Sequence, residues 1–357
     1  MISGYYGFDN SGDDAILKVL TQQIKQSDIS ANITTLSNNV EQTKRVYQVN
    51  AINRYDFLKI IKEMKQSDLF LSGGGSLLQD ITSNRSLYYY LFLLILAKRF
   101  CKKTIVLANG IGPIDKPFNR YITKRILKNV DYITLRDEKS LKLLKEIGLQ
   151  NDKVEVTFDP VILMETLSDD AILELYRNEN IPTDKKYIGV AVRSWSNAEN
   201  IISEVKKLCD HILESTDCNV LFIPLHYPDD LHFSESILNQ LPQDRAYIIR
   251  NEYAVEKVMG IISKLEYIIS MRYHSIVYAA INDIPMTAII YDPKIEGIME
   301  AFELEDMCSM AQMKAGKLIN IFNEGWRKKE STKLKLAAKK EGLYRDAKRN
   351  IDIIINM

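Results

Sequence analysis

Arg272 and His274 lie two residues apart in the segment IISMRYHSIVYAAIN (268–282) and combine a planar cation with a side chain that moves protons near neutral pH. An apolar run ends just before Arg272, and a helix-period segment starts near Ser275. This pattern predicts a strand-to-helix junction, where helix-terminal amides also favour an anion. We interpret the segment as an anion site with His274 as acid or base; a structural histidine that caps the helix is the alternative.

Other basic residues also follow predicted strands. Arg136 follows a short apolar run in YITLRDEKS, where its guanidinium suits a carboxylate or phosphate; a salt bridge with an acid such as Asp137 is the alternative. Lys294, in YDPKIEG, offers a point cation for a phosphate, unless it is an ordinary exposed lysine in a turn. Arg193 in VAVRSW and His226 in IPLHYPDD follow two further strands, where they either contact an acceptor sugar or order loops.

A glycine-punctuated loop occupies the start of the chain, in SGYYGFDNSGDDAIL. We expect Asp13 or Asp14 to cap the helix that follows, with Asn10 and the loop amides close to a bound ligand. An ordinary tight turn with a capping aspartate is the alternative.

A second glycine-rich segment, LFLSGGGSLLQD, covers residues 69–80. We expect an apolar strand to enter the glycines and a helix to begin near Ser76. A phosphate or sugar would then rest on the amides of Gly73, Gly74, Gly75 and Ser76. The alternative is that the glycines only allow close packing of strand against helix.

Short apolar runs alternate with helix-period segments along most of the chain, which predicts an α/β fold with parallel sheets. The predicted strands are 68–72, 104–108, 132–135, 154–158, 187–192, 220–225, 246–249, 267–270 and 287–291. The alternation lapses at 165–186, so we predict two doubly wound, Rossmann-like domains, 1–165 and 166–357, facing across a cleft. Ligands of such sheets bind beyond the carboxyl ends of strands, where the residues above lie.

The overall composition argues against several partners. Lysine plus arginine and aspartate plus glutamate both number 47 in 357 residues, so charge points to neither nucleic acid nor a polyanion. The four cysteines and four histidines show no metal-ligand spacing, so we expect no metal and a reducing compartment. Because no basic and apolar leader precedes the first loop, we expect a cytoplasmic protein.

Two segments are candidates for peripheral contact with the inner face of the membrane. The apolar run 87–97 is too short to span a bilayer and predicts a buried helix, although Arg85, Lys98 and Arg99 flank it. Residues 327–349 carry ten basic and three acidic side chains over a helical pattern. A solvated helix is one interpretation of this segment, and docking on anionic lipid headgroups is the other.

In this order, the segments SGYYGFDNSGDDAIL, SGGGSLLQD, ANGIGP, TLRD, MRYHS and YDPK resemble the polysaccharide pyruvyl transferase family, particularly its CsaB-type members, over residues 2–300. The resemblance implies a fold similar to GT-B glycosyltransferases and phosphoenolpyruvate as the donor, with no cofactor. It implies a 4,6-linked pyruvate ketal on the N-acetylmannosamine (ManNAc) of a lipid-linked ManNAc-GlcNAc acceptor. That product would anchor S-layer homology domains on secondary cell-wall polymers.

The resemblance also implies roles for residues selected above. Arg136, Arg272 and Lys294 would hold the donor, with Arg136 in the catalytic set, and His274 would transfer a proton. Asp13 or Asp14 would take a proton from the sugar hydroxyl. Asp9 departs from the family pattern, which has FGN where this chain has FDN, so the geometry of the first loop is an open question.

Two other functions are compatible with the same residues. A nucleotide-sugar glycosyltransferase of GT-B architecture would bind a nucleotide diphosphate in its C-terminal domain and would not depend on phosphoenolpyruvate. A non-enzymatic glycan-binding protein at the membrane face would depend on the basic C-terminal lysines and not on His274.

Overall fold

A computed structural model describes residues 1–81, 83–149 and 152–357, except for the side chains of Gln312 and Ala315. These residues form two compact units, Met1–Met164 with Leu343–Met357, and Glu165–Gly342. The division expected at 165/166 lies next to the observed boundary. The end of the chain, however, was expected in the C-terminal domain and packs with the N-terminal unit.

Asn350 explains why the chain end belongs to the N-terminal unit. Its fully buried side-chain amide accepts from the hydroxyls of Thr134 at 2.6 Å and Thr157 at 3.0 Å. The same amide donates to the carbonyl of Phe158 at 3.0 Å. A buried amide satisfied in this way ties the last helix to the N-terminal sheet.

The N-terminal unit is built on one parallel sheet. Its strands are β1 (Ile2–Ser3), β2 (Thr34–Ser37), β3 (Asn50–Asn53), β4 (Leu69–Leu78), β5 (Lys103–Ile111), β6 (Tyr132–Leu135) and β7 (Val154–Val156). Its helices are α1 (Ser11–Ser27), α2 (Val40–Tyr47), α3 (Phe57–Met64), α4 (Asn84–Phe100), α5 (Pro117–Leu127) and α6 (Glu138–Glu146), followed by a 3-10 turn at Pro160–Leu163. The strand order β3-β2-β1-β4-β5-β6-β7 reverses between β1 and β4.

The C-terminal unit repeats this plan. Its strands are β8 (Tyr187–Ala191), β9 (Asn219–Phe222), β10 (Ala246–Ile248), β11 (Tyr267–Ser270), β12 (Met286–Ile290) and β13 (Met307–Ser309). Its helices are α7 (Asp169–Asn178), α8 (Ala198–Ser215), α9 (Asp229–Leu238), α10 (Val255–Ser263), α11 (Tyr273–Ile281), α12 (Pro293–Ala301), α13 (Ala315–Arg327) and the first part of α14 (Lys329–Ile355), with a 3-10 turn at Met310–Gln312. The order β10-β9-β8-β11-β12-β13 reverses between β8 and β11.

The central strands are apolar on both faces, as parallel strands covered by helices must be. Val106 on β5, Ile133 on β6 and Ile269 on β11 are each 0% exposed. The predicted α/β class and the two Rossmann-like sheets are therefore confirmed. Four short strands are not among the predicted ones. Strand β1 has only two residues, and the sequences of β2, β3 and β13 (TTLS, NAIN and MCS) have little apolar pattern.

Helix α4 corrects the expectation of a simple buried helix at residues 87–97. Leu87, Leu91 and Leu94 are buried, but Phe92 and Ile95 are 43% and 50% exposed. No helix within the described ranges has the length and hydropathy needed to cross a bilayer.

Candidate functional site

The C-terminal unit collects four predicted site residues at one edge of its sheet. Arg193 follows β8, His226 follows β9, Arg272 follows β11, and Lys294 follows β12. These strands are adjacent in the order β9-β8-β11-β12 and all run parallel. The residues therefore lie at the carboxyl edge, around the reversal between β8 and β11, where open α/β sheets bind ligands.

Arg272 is held in a fixed orientation by Asp230. Its Nε donates to Asp230 Oδ2 at 2.8 Å, and its Nη2 donates to Asp230 Oδ1. Asp230 also accepts the backbone N–H groups of Leu225 at 3.2 Å and His226 at 3.1 Å. One carboxylate therefore orders both the β9 loop and the guanidinium, while Nη1 of Arg272 has no hydrogen-bond partner in the described part of the chain.

His274 is the second residue of α11 and is half-buried. The N-cap position belongs to Arg272, so the alternative of a capping histidine is wrong. Two serines stabilise the turn: Ser270 Oγ accepts from the Arg272 amide at 2.8 Å, and Ser275 Oγ donates to the Arg272 carbonyl at 2.7 Å. The His274 ring lies edge-on to Tyr273, with the ring centroids 4.9 Å apart. The imidazole therefore lies two residues after Arg272, whose guanidinium has a fixed orientation.

Two aromatic side chains that the sequence analysis did not select surround Arg193. Its guanidinium lies 5.1 Å from the Trp195 ring centroid and 5.2 Å from that of Tyr291, and Nη1 donates to the Tyr291 hydroxyl at 3.3 Å. The two rings are 4.7 Å apart. The available signal was an aromatic residue shortly after each strand, Trp195 four residues past the end of β8 and Tyr291 directly after β12. This contact connects the loops of two strands on either side of β11.

Lys294 and His226 each have a carboxylate neighbour. Lys294 is the second residue of α12, and its Nζ lies 3.5 Å from Oδ2 of Asp292, the helix N-cap. It is therefore a half-buried first-turn residue and not an exposed turn lysine. His226 Nδ1 lies 3.6 Å from Asp229 Oδ2. Both remain at the sheet edge, but neither is as firmly oriented as Arg272.

In the N-terminal unit, the prediction that a helix begins near Ser76, directly after Gly73–Gly75, is wrong. The glycines lie inside β4, because β5 continues to pair with this strand as far as Leu78, and α4 begins only at Asn84. A Cβ on Gly74, at φ +43°, would lie 2.4 Å from Cγ2 of Ile16. This contact supports the close-packing alternative at Gly74, with α1 as the helix that packs against the strand.

The first loop is capped differently from the prediction. Asn10, not Asp13 or Asp14, is the N-cap of α1, and its Oδ1 accepts from the Gly12 amide at 3.1 Å. Asp13 and Asp14 lie in the first turn, where carboxylates complement the helix dipole. Asp14 accepts from the Tyr47 hydroxyl at 3.0 Å. Both carboxylates remain beside the β1–β4 reversal of this sheet.

Arg136 is an internal ion-pair residue. Its side chain is 2% exposed, and Nη1 lies 3.1 Å from Asp159 Oδ2. Its Nη2 donates to Ser76 Oγ at 2.8 Å. Arg136 does form a salt bridge, as the alternative interpretation expected, but its nearest carboxylate is that of Asp159. The distance from Arg136 Nε to Asp137 Oδ2 is 4.0 Å. Arg136 is therefore held inside this unit by Asp159 and Ser76.

Arg54 is a buried cation that the sequence analysis missed. It is 5% exposed, and five aromatic rings lie within 6.0 Å of its guanidinium carbon; these are Tyr5, Phe8, Tyr55, Tyr89 and Tyr90. Its Nη2 donates to the Tyr90 hydroxyl at 3.3 Å. Burial raises the pKa of Tyr90, so this phenol stays neutral. Cation–π contacts replace a counter-ion at this position.

In the described part of the chain, no group of three or more His, Cys, Asp or Glu residues is arranged to hold a metal ion.

Solved structures with the same two-domain plan belong to the GT-B-like group. UDP-GlcNAc 2-epimerase from Neisseria meningitidis, bound to UDP-GlcNAc, superposes with a TM-score of 0.69 at 13% identity over 100% of both chains. A glycosyltransferase from Rickettsia africae gives a TM-score of 0.61 at 15% identity, covering 99% of this chain and 96% of that one. At these identities the similarity establishes the fold alone.

Sequence comparison identifies the family. The Amylovoran biosynthesis protein AmsJ of Erwinia amylovora is 22% identical over 268 residues, which are 70% of this chain and 63% of that protein. The family model for polysaccharide pyruvyl transferases matches residues 10–293, a range that includes Arg193, Arg272 and His274. This chain therefore belongs to the polysaccharide pyruvyl transferase family.

Proposed function

We propose that the protein transfers the pyruvyl group of phosphoenolpyruvate to two hydroxyls of a polysaccharide precursor, forming a cyclic ketal and releasing phosphate. The observation that carries the proposal is the pairing of a carboxylate-fixed Arg272 with His274 at the carboxyl edge of the C-terminal sheet. Phosphoenolpyruvate has a carboxylate and a phosphate, and guanidinium groups bind both with directed hydrogen bonds. Arg193 and Lys294 add positive charge at the same edge.

His274 is proposed to protonate the methylene carbon of the donor, which makes C2 electrophilic. One sugar hydroxyl then adds to C2 and loses its proton. A second hydroxyl displaces phosphate and closes the ketal, so the second proton leaves with the phosphate. Asp13 and Asp14 of the N-terminal unit are the proposed bases for the sugar hydroxyls, and Asn10 and the β1 loop are proposed to contact the sugar. Arg136 is left out of the proposed donor site, because its side chain is 2% exposed and contacts Asp159 and Ser76.

For the acceptor, we propose a lipid-linked ManNAc-GlcNAc disaccharide, with the ketal bridging O4 and O6 of ManNAc. The support is the resemblance to CsaB-type members. Because the relative AmsJ is named for amylovoran biosynthesis, a panel of acceptor sugars belongs in the test.

The test measures phosphate release from phosphoenolpyruvate with and without the acceptor. We expect acceptor-dependent release, reduced about 100-fold or more in His274→Gln. His232→Gln, a substitution at an exposed histidine of the same unit, is the matched control and should retain full activity. Release that does not require His274 would refute the assignment of the proton donor.

The second candidate is a nucleotide-sugar glycosyltransferase, which the similarity to a UDP-GlcNAc-bound structure favours. Calorimetric titration separates the two functions. Saturable binding of phosphoenolpyruvate without binding of UDP-GlcNAc supports pyruvyl transfer, and the opposite pattern supports the glycosyltransferase.

A further inference from the structure

Three neighbouring helices of the N-terminal unit present an apolar surface to solvent. Helix α4 packs against both α3 and α5. The exposed side chains, called here the apolar face, are Phe57, Leu58, Tyr88, Phe92, Ile95, Phe118 and Tyr121. Leu58 is 85% exposed and Phe118 is 65% exposed, so most of the apolar area of each side chain stays in water after folding.

These side chains are adjacent and not scattered. The rings of Phe57 and Phe92 are in edge-to-face contact, with centroids 5.6 Å apart. The Tyr88 hydroxyl donates to Asn119 Oδ1 at 2.8 Å, which joins α4 to α5. On α4, Tyr88, Phe92 and Ile95 recur at helical spacing and form an exposed stripe about 100° around the helix from the buried Leu87, Leu91 and Leu94. Contiguous apolar surface of this kind marks an interaction site.

The same helices carry a strong local excess of positive charge. Helices α3, α4 and α5 contain eight lysine and arginine residues, and their one acidic residue is Glu63. Glu63 accepts a hydrogen bond from Thr34 Oγ1 at 2.6 Å. Two of the eight cations are paired, Lys59 with Asp56 and Lys98 with Asp131, each at 2.8 Å. The whole chain has a formal net charge of zero, so the remaining excess is local to these helices.

We propose that the apolar face docks on the surface of an anionic lipid bilayer. Aromatic and aliphatic side chains enter the headgroup region, and the long basic side chains around them reach lipid phosphates. A second copy of the chain is a poor occupant, because pairing two such faces brings like charges together. The proposal is argued from this surface alone, although it would bring a lipid-linked acceptor to the enzyme.

The basic segment 327–349 is a weaker candidate for lipid binding. Lys329 lies 3.4 Å from Glu266, Lys339 2.5 Å from Glu303, and Lys340 2.8 Å from Asp283. These ion pairs neutralise a large part of its charge within the protein. The two surfaces can therefore be separated by substitution.

Vesicle co-sedimentation of the full chain tests the proposal. Vesicles of phosphatidylcholine alone are compared with vesicles containing about 30% phosphatidylglycerol at low and high salt. We expect binding only to the anionic vesicles, weakened by salt, and reduced about tenfold or more in each of Phe92→Glu and Phe118→Glu. Leu334→Glu on α14 and Ile29→Glu are matched controls, since both native side chains are also exposed.

Each outcome decides the question. Failure of the folded wild-type protein to bind anionic vesicles overturns the proposal, as does binding that Leu334→Glu reduces as much as Phe92→Glu. Concentration-dependent dimerisation abolished by Phe118→Glu would instead assign the face to self-association and also overturn it. Thermal unfolding verifies that the variants are folded. Activity on a water-soluble acceptor should be unchanged in Phe92→Glu, so failure of docking is distinct from failure of pyruvyl transfer.

Discussion

Asp230 accepts hydrogen bonds from the guanidinium of Arg272 through both carboxylate oxygens, and the distance from Arg272 Nε to Asp230 Oδ2 is 2.8 Å. Asp230 is 2% exposed in its side chain and Arg272 is 15% exposed, so water screens this pair little. Asp230 lies in the first turn of α9, after one strand, and Arg272 is the N-cap residue of α11, after another. The orientation of the proposed donor-binding arginine is therefore set by a residue from a different βα unit.

Asp230→Asn is expected to destabilise the protein by about 3 kcal/mol, because it leaves Arg272 buried without its counter-ion. Urea unfolding measures this loss, and the affinity for phosphoenolpyruvate should fall in parallel. Asp229→Asn is the control, since that neighbouring side chain is 75% exposed and should change stability little. Equal effects of the two substitutions would contradict the role of Asp230 in fixing the orientation of Arg272.

Gly74→Ala is expected to cost about 1–3 kcal/mol, because the added methyl would overlap Ile16 and the residue has a positive φ. Gly342→Ala provides the matched control, since a Cβ there meets nothing within 4 Å and alanine favours a helix. Thermal unfolding measures both. A loss of phosphoenolpyruvate binding in Gly74→Ala without any loss of stability would support the phosphate-cradle hypothesis.

Arg193→Lys is expected to weaken phosphoenolpyruvate binding about tenfold even though the charge is retained, because lysine lacks the planar group that lies against the rings of Trp195 and Tyr291. Calorimetry measures the affinity. Arg177→Lys, at an exposed arginine on α7, should bind normally. If Arg193→Lys also binds normally, the contact with the two rings has no part in recognition.

Asp9 has φ +53°, a conformation that glycine adopts freely, and its Oδ1 accepts from Gln42 Nε2 at 3.0 Å. The FDN departure therefore keeps the loop geometry that a glycine would have. We expect Asp9→Gly to be more stable than Asp9→Ala by about 1 kcal/mol, since alanine is strained at positive φ. Chemical denaturation of both variants measures the difference, and an Asp9→Ala variant as stable as Asp9→Gly would argue against the strained turn.

Burial raises the pKa of the Cys101 and Cys218 thiols to about 11, against 9.0 when unfolded. Because the folded protein keeps these protons longer, their contribution to stability is fully present below pH 9 and is lost as the pH rises towards 11. The stability difference between pH 8 and pH 10.5 should thus be smaller in a Cys101→Ala, Cys218→Ala variant. Denaturation at the two pH values measures this, and an unchanged difference would contradict it.

The local pattern of the sequence was sufficient for several features of the protein. Strands such as Tyr132–Leu135 and Tyr267–Ser270 have a strong apolar pattern, so their bounds were predicted correctly. The positions of Arg193, His226, Arg272 and Lys294 after strands were also visible, because a strand-to-helix junction is marked by neighbouring residues. The parallel topology then places such residues at one edge.

Only the tertiary structure decided which of these residues have partners and what covers each surface. The position of Arg136 after a strand indicated a ligand-binding arginine, but in the structure it pairs with Asp159. The sequence indicated that the Gly74 amide contacts a phosphate or sugar, and the structure shows Ile16 of α1 packed against this glycine. Helix α4 is apolar on all sides in sequence, yet one side faces the core and the other faces solvent. Each outcome depends on contacts between residues far apart in the chain, which local sequence patterns do not encode.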